Sequence, residues 1–193
     1  MRDTLVPLLL AGALWWLPGR AAAQLDGAIP NARVTAGTLS FDGHATVGDF
    51  TGTTTEVSGE LTGGGELPAV RGWVEAPVRS LETGNGKRDK DLNKSMESDK
   101  YPVIRFDLGG VTPESGAGDS ASVMLAGRLS LHGVTRDVSF PAQVRMGGGG
   151  IRLRCDFPLN LKDYEIGGLS KMLGMLKMQE DIEVHVDLTF GPR

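Results

Sequence analysis

Cysteine is almost absent from the 193-residue sequence, which contains only Cys155. A single thiol forms no internal disulfide, so the fold must depend on packing alone. Cys155 falls on the apolar side of an alternating stretch, which predicts a buried and unreactive thiol. Histidine is also scarce, and His44, His132 and His185 show no metal-ligand spacing. The sequence therefore predicts no metal site and no cofactor.

An excess of basic residues is also missing. The chain has 20 lysines and arginines against 24 aspartates and glutamates, and its formal net charge is −4. A general nucleic-acid binder needs a basic surface that displaces phosphate counterions, so this class is excluded. Neither a G-x-S-x-G nucleophile elbow nor a phosphate-binding glycine motif is present. We therefore expect no catalytic residues and a protein that is not an enzyme.

Long hydrophobic runs are absent after the N-terminal segment. Leu5–Leu17 is apolar and is followed by the small residues Ala21–Ala23. The run is shorter than the ~20 residues of a membrane span. It predicts a signal peptide over residues 1–23, with an uncleaved anchor as the alternative. The mature domain is then 24–193, with no stable membrane insertion after removal of the signal.

Glycine and period-two alternation are what the sequence has in abundance. Its 28 glycines suit the turns of an all-β fold. In Ile182–Phe190 every even-numbered residue is apolar, which is typical of a strand with one buried face. Similar alternation predicts eight strands, at Thr38–Ala45, Asp49–Leu61, Ala69–Leu81, Val103–Leu108, Ser122–Leu131, Arg136–Met146, Ile151–Leu159 and Glu180–Phe190.

Turn-forming residues separate these strands. Pro113–Ser120 and His132–Thr135 predict turns. Gly127, inside a predicted strand, predicts a bend. His132 is expected to bond to the backbone in its turn, and His185 is expected to face outward.

Two segments differ from the alternating pattern. Lys87–Lys100 is highly charged, and Leu92 and Met96 lie four residues apart, which predicts a short helix. Gly168–Met178 is also more helix-like than strand-like. An antiparallel sheet with one solvent-exposed face must close into a barrel or stack on a second sheet to protect its unpaired edge strands. The fold class is therefore all-β, and the alternation itself leaves a closed barrel and a two-sheet sandwich open.

Four segments, in the same order along the chain, resemble the YceI-like family. They are Val78–Leu92, Lys100–Phe106 with a Y-P-x-I-x-F pattern, Gly127–Arg136 with a G-x-L-x-L-H-G-V-T turn, and Asp163–Gly167. The similarity covers roughly Phe41 to Phe190. It implies an eight-stranded antiparallel lipocalin-like barrel with one or two short helices.

The same resemblance implies a function. Members of the family are bacterial, periplasmic or secreted proteins that bind a polyisoprenoid or another long amphiphile in the barrel lumen. We therefore expect an exported carrier of a polyisoprenoid, quinone-like or fatty amphiphile, and homodimers are frequent in the family. The alternatives are a small exported enzyme acting on an apolar substrate within the barrel, and a structural module with a filled core.

The inward apolar faces of the predicted strands supply the candidate ligand-binding residues. Tyr164 is expected to offer a hydrogen bond near the ligand. Lys87 and Arg88 are candidates for contact with an anionic head group at the barrel mouth, or belong to a solvated loop. The lumen candidates are Phe41, Leu81, Phe106, Leu125, Leu129, Leu153, Phe157, Tyr164, Met175, Val184 and Val186.

Overall fold

The computed structural model of the chain describes residues 29–193 apart from 47, 65, 168–169 and 172–175, so the predicted signal peptide lies outside it. One α-helix, α1 (Gly86–Ser95), is described. The strands are β1 (Ala32–Gly43), β2 (Phe50–Thr54), β3 (Ser58–Thr62), β4 (Arg71–Pro77), β5 (Val103–Ala117), β6 (Ser120–Leu131), β7 (Val134–Gly147), β8 (Gly150–Asn160), β9 (Ser170–Lys171), β10 (Leu176–Lys177) and β11 (Asp181–Pro192).

Antiparallel pairing runs around a closed ring. The order is β1, β3, β4, β5, β6, β7, β8 and β11, and β11 pairs with β1 to complete it. β2 pairs with the second half of β1 and β3 with its first residues, so β2 and β3 share one position in the wall. The eight-stranded antiparallel barrel is confirmed, and the two-sheet sandwich is wrong because the ladder returns to its first strand.

The predicted strand Asp49–Leu61 is two strands. It breaks between β2 and β3, where the hydroxyl of Thr54 accepts a hydrogen bond from the backbone N–H of Glu56 at 3.0 Å. The same hydroxyl lies 2.7 Å from the hydroxyl of Ser80. A threonine that bonds to its own backbone two residues on competes with the sheet ladder. Threonine content alone predicted strand and did not reveal this turn.

β5 is longer than predicted. We expected a strand over Val103–Leu108 and a turn over Pro113–Ser120, but β5 runs to Ala117. The pairing of β5 with β6 shifts once near Gly109 and again near Glu114. Each β-bulge inserts one residue and reverses the alternation. The period-two pattern therefore ends at Leu108 although the strand continues.

Other boundaries move for local reasons. The strand predicted at Ala69–Leu81 is only Arg71–Pro77, and Val78–Ser80 forms a 3-10 turn after it. The strand predicted to begin at Thr38 begins at Ala32, where small residues and glycine weaken the apolar signal. Gly127, where we predicted a bend, lies inside the continuous strand β6 and pairs with Leu108 beside the bulge of β5. A Cβ at this position would overlap the Asp107 carbonyl and the Phe106 ring.

The predicted helix within Lys87–Lys100 is confirmed as α1. The Asn85 side chain accepts hydrogen bonds from the backbone N–H groups of Lys87 and Arg88 at 3.1 and 3.2 Å, which caps the helix. The helix-like interpretation of Gly168–Met178 is wrong where the segment is described, since β9 and β10 form an antiparallel pair. Within the described part of the chain, no helix has the length and apolarity needed to span a bilayer.

The two ends of the barrel are packed differently. At the end away from α1, buried side chains fill the interior, among them Ala32, Val123 and Phe190. The end next to α1 is ringed by a second buried cluster that includes Leu129, Leu161 and Ile182. The barrel is therefore plugged at one end and lined at the other.

Turn chemistry holds the hairpin between β6 and β7. His132 and Gly133 form a two-residue turn with φ of 53° and 78°, the backbone of a type I′ hairpin. The Tyr101 ring packs where a Cβ of Gly133 would lie. His132 Nδ1 lies 3.0 Å from the Tyr164 carbonyl oxygen, which confirms the expected bond to the backbone.

His185 joins three strands on the outer face of the barrel, as its outward position predicted. Its Nδ1 lies 2.6 Å from Oδ1 of Asp156 on β8, and its Nε2 lies 3.2 Å from Oδ2 of Asp42 on β1. Thr51 donates a hydrogen bond to the other oxygen of Asp42. The hydrogen bond to Asp156, and then that to Asp42, raise the pKa of His185. A charged His185 therefore connects both neighbours of β11, including the strand that closes the ring.

We expect His185→Gln to change how stability depends on pH. A raised folded-state pKa means that the contribution of His185 is complete below its ordinary pKa of 6.5 and is lost as the pH rises through the raised value. The ring is partly exposed, so the effect should not exceed about 1 kcal/mol. The midpoint of urea unfolding should be measured for the wild type and the variant at about pH 5.5 and about pH 9. The variant should have the lower midpoint at about pH 5.5, and the two proteins should have equal midpoints at about pH 9.

His44→Gln is the matched control, because it removes an exposed histidine–aspartate pair with Asp49 that joins no strands of the ring. Identical pH profiles for the wild type and His185→Gln would contradict a role for His185 in closing the barrel.

Candidate functional site

A cavity of about 480 Å³ occupies the part of the barrel next to α1. Its wall takes inward side chains from every position of the ring, because alternate residues of each strand face the lumen. The wall is almost entirely apolar, and the plugging residues of the far end form its floor with Leu188 and Phe190. This volume is within the range of small-molecule sites.

Most of the predicted lumen residues lie on this wall. The lining includes Phe41, Leu81, Phe106, Leu125, Leu129, Leu153, Phe157, Val184 and Val186. Period-two alternation placed all of these side chains except Leu81 on the inner face, and closure of the ring brings them together. Leu81 follows the 3-10 turn Val78–Ser80 and reaches the wall from outside the strands. Met175 lies outside the described residues.

Tyr164 does not lie on the cavity wall. Its side chain is buried in the cluster around the 3-10 turn Leu161–Tyr164, and burial raises the pKa of its phenol. Its backbone carbonyl oxygen is the partner of His132. In the structure Tyr164 therefore packs behind the wall and anchors the turn that follows β8.

The mouth of the cavity is formed by the first turns of α1 and by the residues around the start of β2. Lys87 and Arg88 both line it, as does the exposed Asn85. The Arg88 guanidinium lies 4.2 Å from the centre of the Phe50 ring. Phe50 in turn packs edge-on against Phe41, with ring centres 6.1 Å apart. An aromatic path therefore leads from the lumen to two cationic side chains at the surface.

The acidic residues of α1 partly balance this charge. The Asp89 carboxylate accepts hydrogen bonds from the backbone and the hydroxyl of Thr83, at 2.9 and 2.6 Å, and does not line the cavity. Asp91 lies at the rim beside Lys87 and Arg88. The rim is thus mixed in charge, with its cationic groups nearest the aromatic path.

Sequence reasoning missed two groups of wall residues. The first group lies outside the strands and includes Leu161, Ile166 and Met178, for which alternation carries no information. The second group is on strands that the alternation did predict, and it includes Leu108 and Phe140. The alternation of apolar and polar residues around Pro141 could have identified Phe140 as an inward-facing residue. Its ring stacks on that of Phe157, with centres 4.3 Å apart.

The titratable groups of the wall are few. Cys155 lines the cavity as a buried thiol, and burial raises its pKa to about 12. His44, His132 and His185 all lie outside the lining. Among the described residues, no group of histidine, cysteine and carboxylate side chains is arranged to hold a metal ion.

Both the sequence and the fold of this chain are similar to those of known proteins. The sequence model of the YceI-like domain family matches residues 31–190. BcnA from Burkholderia cenocepacia has the same fold, with 14% identity, a TM-score of 0.69, and coverage of 79% of this chain and 95% of BcnA. A comparison with curated proteins finds no match.

Two further solved structures share the fold. A polyisoprenoid binding domain from Saccharophagus degradans, implicated in plant cell wall breakdown, is 18% identical, with a TM-score of 0.69 over 86% of this chain and 99% of that domain. The YCEI protein of Campylobacter jejuni is 18% identical, with a TM-score of 0.51 over 62% of this chain and 70% of its own. At these identities the likeness establishes the fold alone.

We expect Cys155 to be a slow thiol in the native protein. The rise of its pKa from 9.0 to about 12 lowers the thiolate fraction near neutral pH by about a thousandfold. Alkylation by iodoacetamide, followed by mass spectrometry, should be slower by at least that factor in native protein than in urea. Comparable rates in the two states would show that the thiol does not lie in the wall.

Proposed function

Because the chain belongs to the YceI-like domain family, we propose that it binds the apolar tail of a polyisoprenoid, or of a similar long amphiphile, inside its barrel. The observation that carries this proposal is the enclosed apolar cavity, which opens at a rim bearing Lys87 and Arg88. The polyisoprenoid-binding domain from Saccharophagus degradans, which has the same fold, supports it.

The size of the cavity is consistent with tight binding of a lipid tail. A methylene group takes up roughly the ~30 Å³ that a water molecule occupies in the liquid, so about 480 Å³ encloses on the order of 15 carbon atoms. Burial contributes about 0.8 kcal/mol per methylene. After the costs of association and ordering, several kcal/mol remain. Such binding needs no catalytic group.

The rim favours a ligand with an anionic or polar head. Arg88 is held against Phe50, and Lys87 lies one residue before it on α1. A tail that follows the Phe41–Phe50 pair outward would place its head group beside these two cations. Charge-assisted hydrogen bonds to phosphate or carboxylate are stronger than those between neutral groups.

We also propose that the protein is exported to the periplasm or the medium, which the N-terminal pattern at residues 1–23 supports. Quinone-like and fatty amphiphiles are long apolar molecules like the polyisoprenoid, and we include them in the proposed ligand class. We also propose that the protein forms a homodimer. A binding protein is favoured over an enzyme by the apolar wall, and the open cavity argues against a filled-core module.

Native mass spectrometry tests the carrier function. Wild-type protein offered retinol, polyprenols, quinones and fatty amides should retain one lipid per chain. Leu153→Trp should reduce retention at least about tenfold, because the larger ring occupies the cavity that Leu153 lines, while the fold gains contacts.

Ala126→Trp is the matched control, since Ala126 is exposed on β6 and does not line the cavity. It should bind like the wild type. A wild-type mass that stays free of lipid with every class offered would contradict the proposed function.

Arg88→Gln should weaken binding of a phosphorylated ligand. Loss of one charge-assisted contact lowers affinity for retinyl phosphate about tenfold and leaves affinity for retinol nearly unchanged. Fluorescence titration measures both ligands. Lys90→Gln on the same helix is the control, because Lys90 is exposed and does not line the cavity. Equal losses for Arg88→Gln and Lys90→Gln would exclude a specific head-group contact.

A further inference from the structure

The wall of the barrel is not hydrogen-bonded along the full length of β7 and β8. Their ladder covers only Gln143–Gly147 and Gly150–Arg154. Above it, β7 pairs only with β6, from Val134 to Ala142, and β8 pairs only with β11, from Cys155 to Asn160. The two strands therefore share no main-chain ladder in the half of the wall that surrounds the cavity. We refer to this unpaired stretch, 134–142 facing 155–160, as the seam.

Two prolines explain why the ladder stops. Continuing the register would place Pro141 opposite Asp156, and Ser139 opposite Pro158. In an antiparallel ladder, hydrogen-bonded pairs alternate with pairs that are not hydrogen-bonded. The Gly147–Gly150 pair flanks the two-residue turn between β7 and β8 and is hydrogen-bonded. Every second pair from there is also hydrogen-bonded, and this includes both pairs with proline. A proline has no N–H to donate. Each of the next two pairs would therefore lose one of its two bonds, and the edges remain unpaired.

Side chains close the seam instead. In its middle, the rings of Phe140 and Phe157 stack with centres 4.3 Å apart and an angle of 7° between their planes. At its upper end, Arg136 on β7 donates to the carbonyl oxygen of Asp163, and His132 lies 3.0 Å from the carbonyl oxygen of Tyr164. Both contacts reach from the β6–β7 hairpin to the turn that follows β8. Phe140 and Phe157 also line the cavity.

A break in the ladder beside β2 is closed by polar groups. β2 does not pair with β4, but Thr53 exchanges two backbone hydrogen bonds with Glu82, at 2.8 and 2.9 Å. The Thr54 hydroxyl is 2.7 Å from that of Ser80. Opening this side would break main-chain bonds and expose buried polar groups. Opening the seam separates two apolar rings and strains two side-chain contacts at its upper end, but it leaves the main-chain ladders of β6–β7 and β8–β11 intact.

We propose that the seam is the side entrance through which the apolar tail passes into the cavity, with Phe140 and Phe157 as its gate. This inference rests on the proposed function. A tail that enters here meets apolar rings at once, whereas one threaded through the mouth passes the charged rim of α1. The head group then stays outside the wall while the tail moves sideways into the lumen.

Exchange of retinol provides the test. Pro141→Thr combined with Pro158→Thr restores the two missing donors on the outer face, where both prolines are exposed, and leaves the cavity wall unchanged. We expect the association and dissociation rate constants, measured by stopped-flow fluorescence against phosphatidylcholine vesicles, to fall together. Two restored hydrogen bonds should slow both on the order of tenfold with the dissociation constant unchanged.

Amide hydrogen exchange of full-length protein reports the seam independently. The amides of Asp137 and Ser139 should exchange fast in the wild type and slowly in the double variant. Slow exchange of these amides in the wild type would overturn the inference. So would unchanged retinol rates in a double variant whose amides are protected.

A second pair of variants decides the question if the double variant does not fold. Phe157→Leu breaks the ring stack and should raise both rate constants. Phe41→Leu is the control, because Phe41 also lines the cavity but its strand is paired on both sides at that residue. It should alter dissociation alone. Equal effects of the two variants would overturn the side entrance, whereas failure of wild-type protein to take up any retinol would overturn the proposed function itself.

Discussion

The pairing of β11 with β1 is the constraint on which the rest of the structure depends. It is continuous from Ala32–Pro192 to Asp42–Glu183, apart from one bulge after Val34. Without it, two long strands would expose unpaired edges, and the inward faces of the other strands would have no common interior. No disulfide assists the closure, since the chain has a single cysteine. Backbone hydrogen bonds and the outer contacts of His185 hold it, and every inward residue becomes a neighbour of the same lumen.

Closure does not by itself decide whether the lumen is filled. In this barrel the far end is filled by one buried cluster that combines small residues such as Ala121 and Ala142 with the larger Val123 and Phe190. Next to α1 the ring is covered by the helix and the 3-10 turn after β8, whose Leu92, Met96 and Leu161 form part of the cavity wall. An empty apolar space forfeits packing contacts, so the unliganded barrel is less stable than a filled one. A ligand that occupies it would stabilise the fold by mass action.

The wall combines rigid and weak parts. Most neighbouring strands share long ladders, whereas Pro141 and Pro158 interrupt the pairing of β7 with β8 beside the cavity. Stacked rings and two contacts to the turn at Leu161–Tyr164 substitute for main-chain bonds there. Prolines at strand edges also deny a template to other chains. The same two residues therefore protect an edge from aggregation and leave a place where the wall can part.

The sequence by itself determined which residues face inward, because side chains alternate along any strand and the alternation in Ile182–Phe190 or Ile151–Leu159 is plain. It also determined the turn at His132–Gly133 and the helix capped by Asn85, since both depend on local chemistry. Tertiary structure alone decided the rest. The bulges at Gly109 and Glu114 became visible only against β6, and the break after Thr54 only against Ser80. Tyr164 lies behind the wall, and Phe140 meets Phe157, because contacts between distant strands depend on register and closure, which no local pattern encodes.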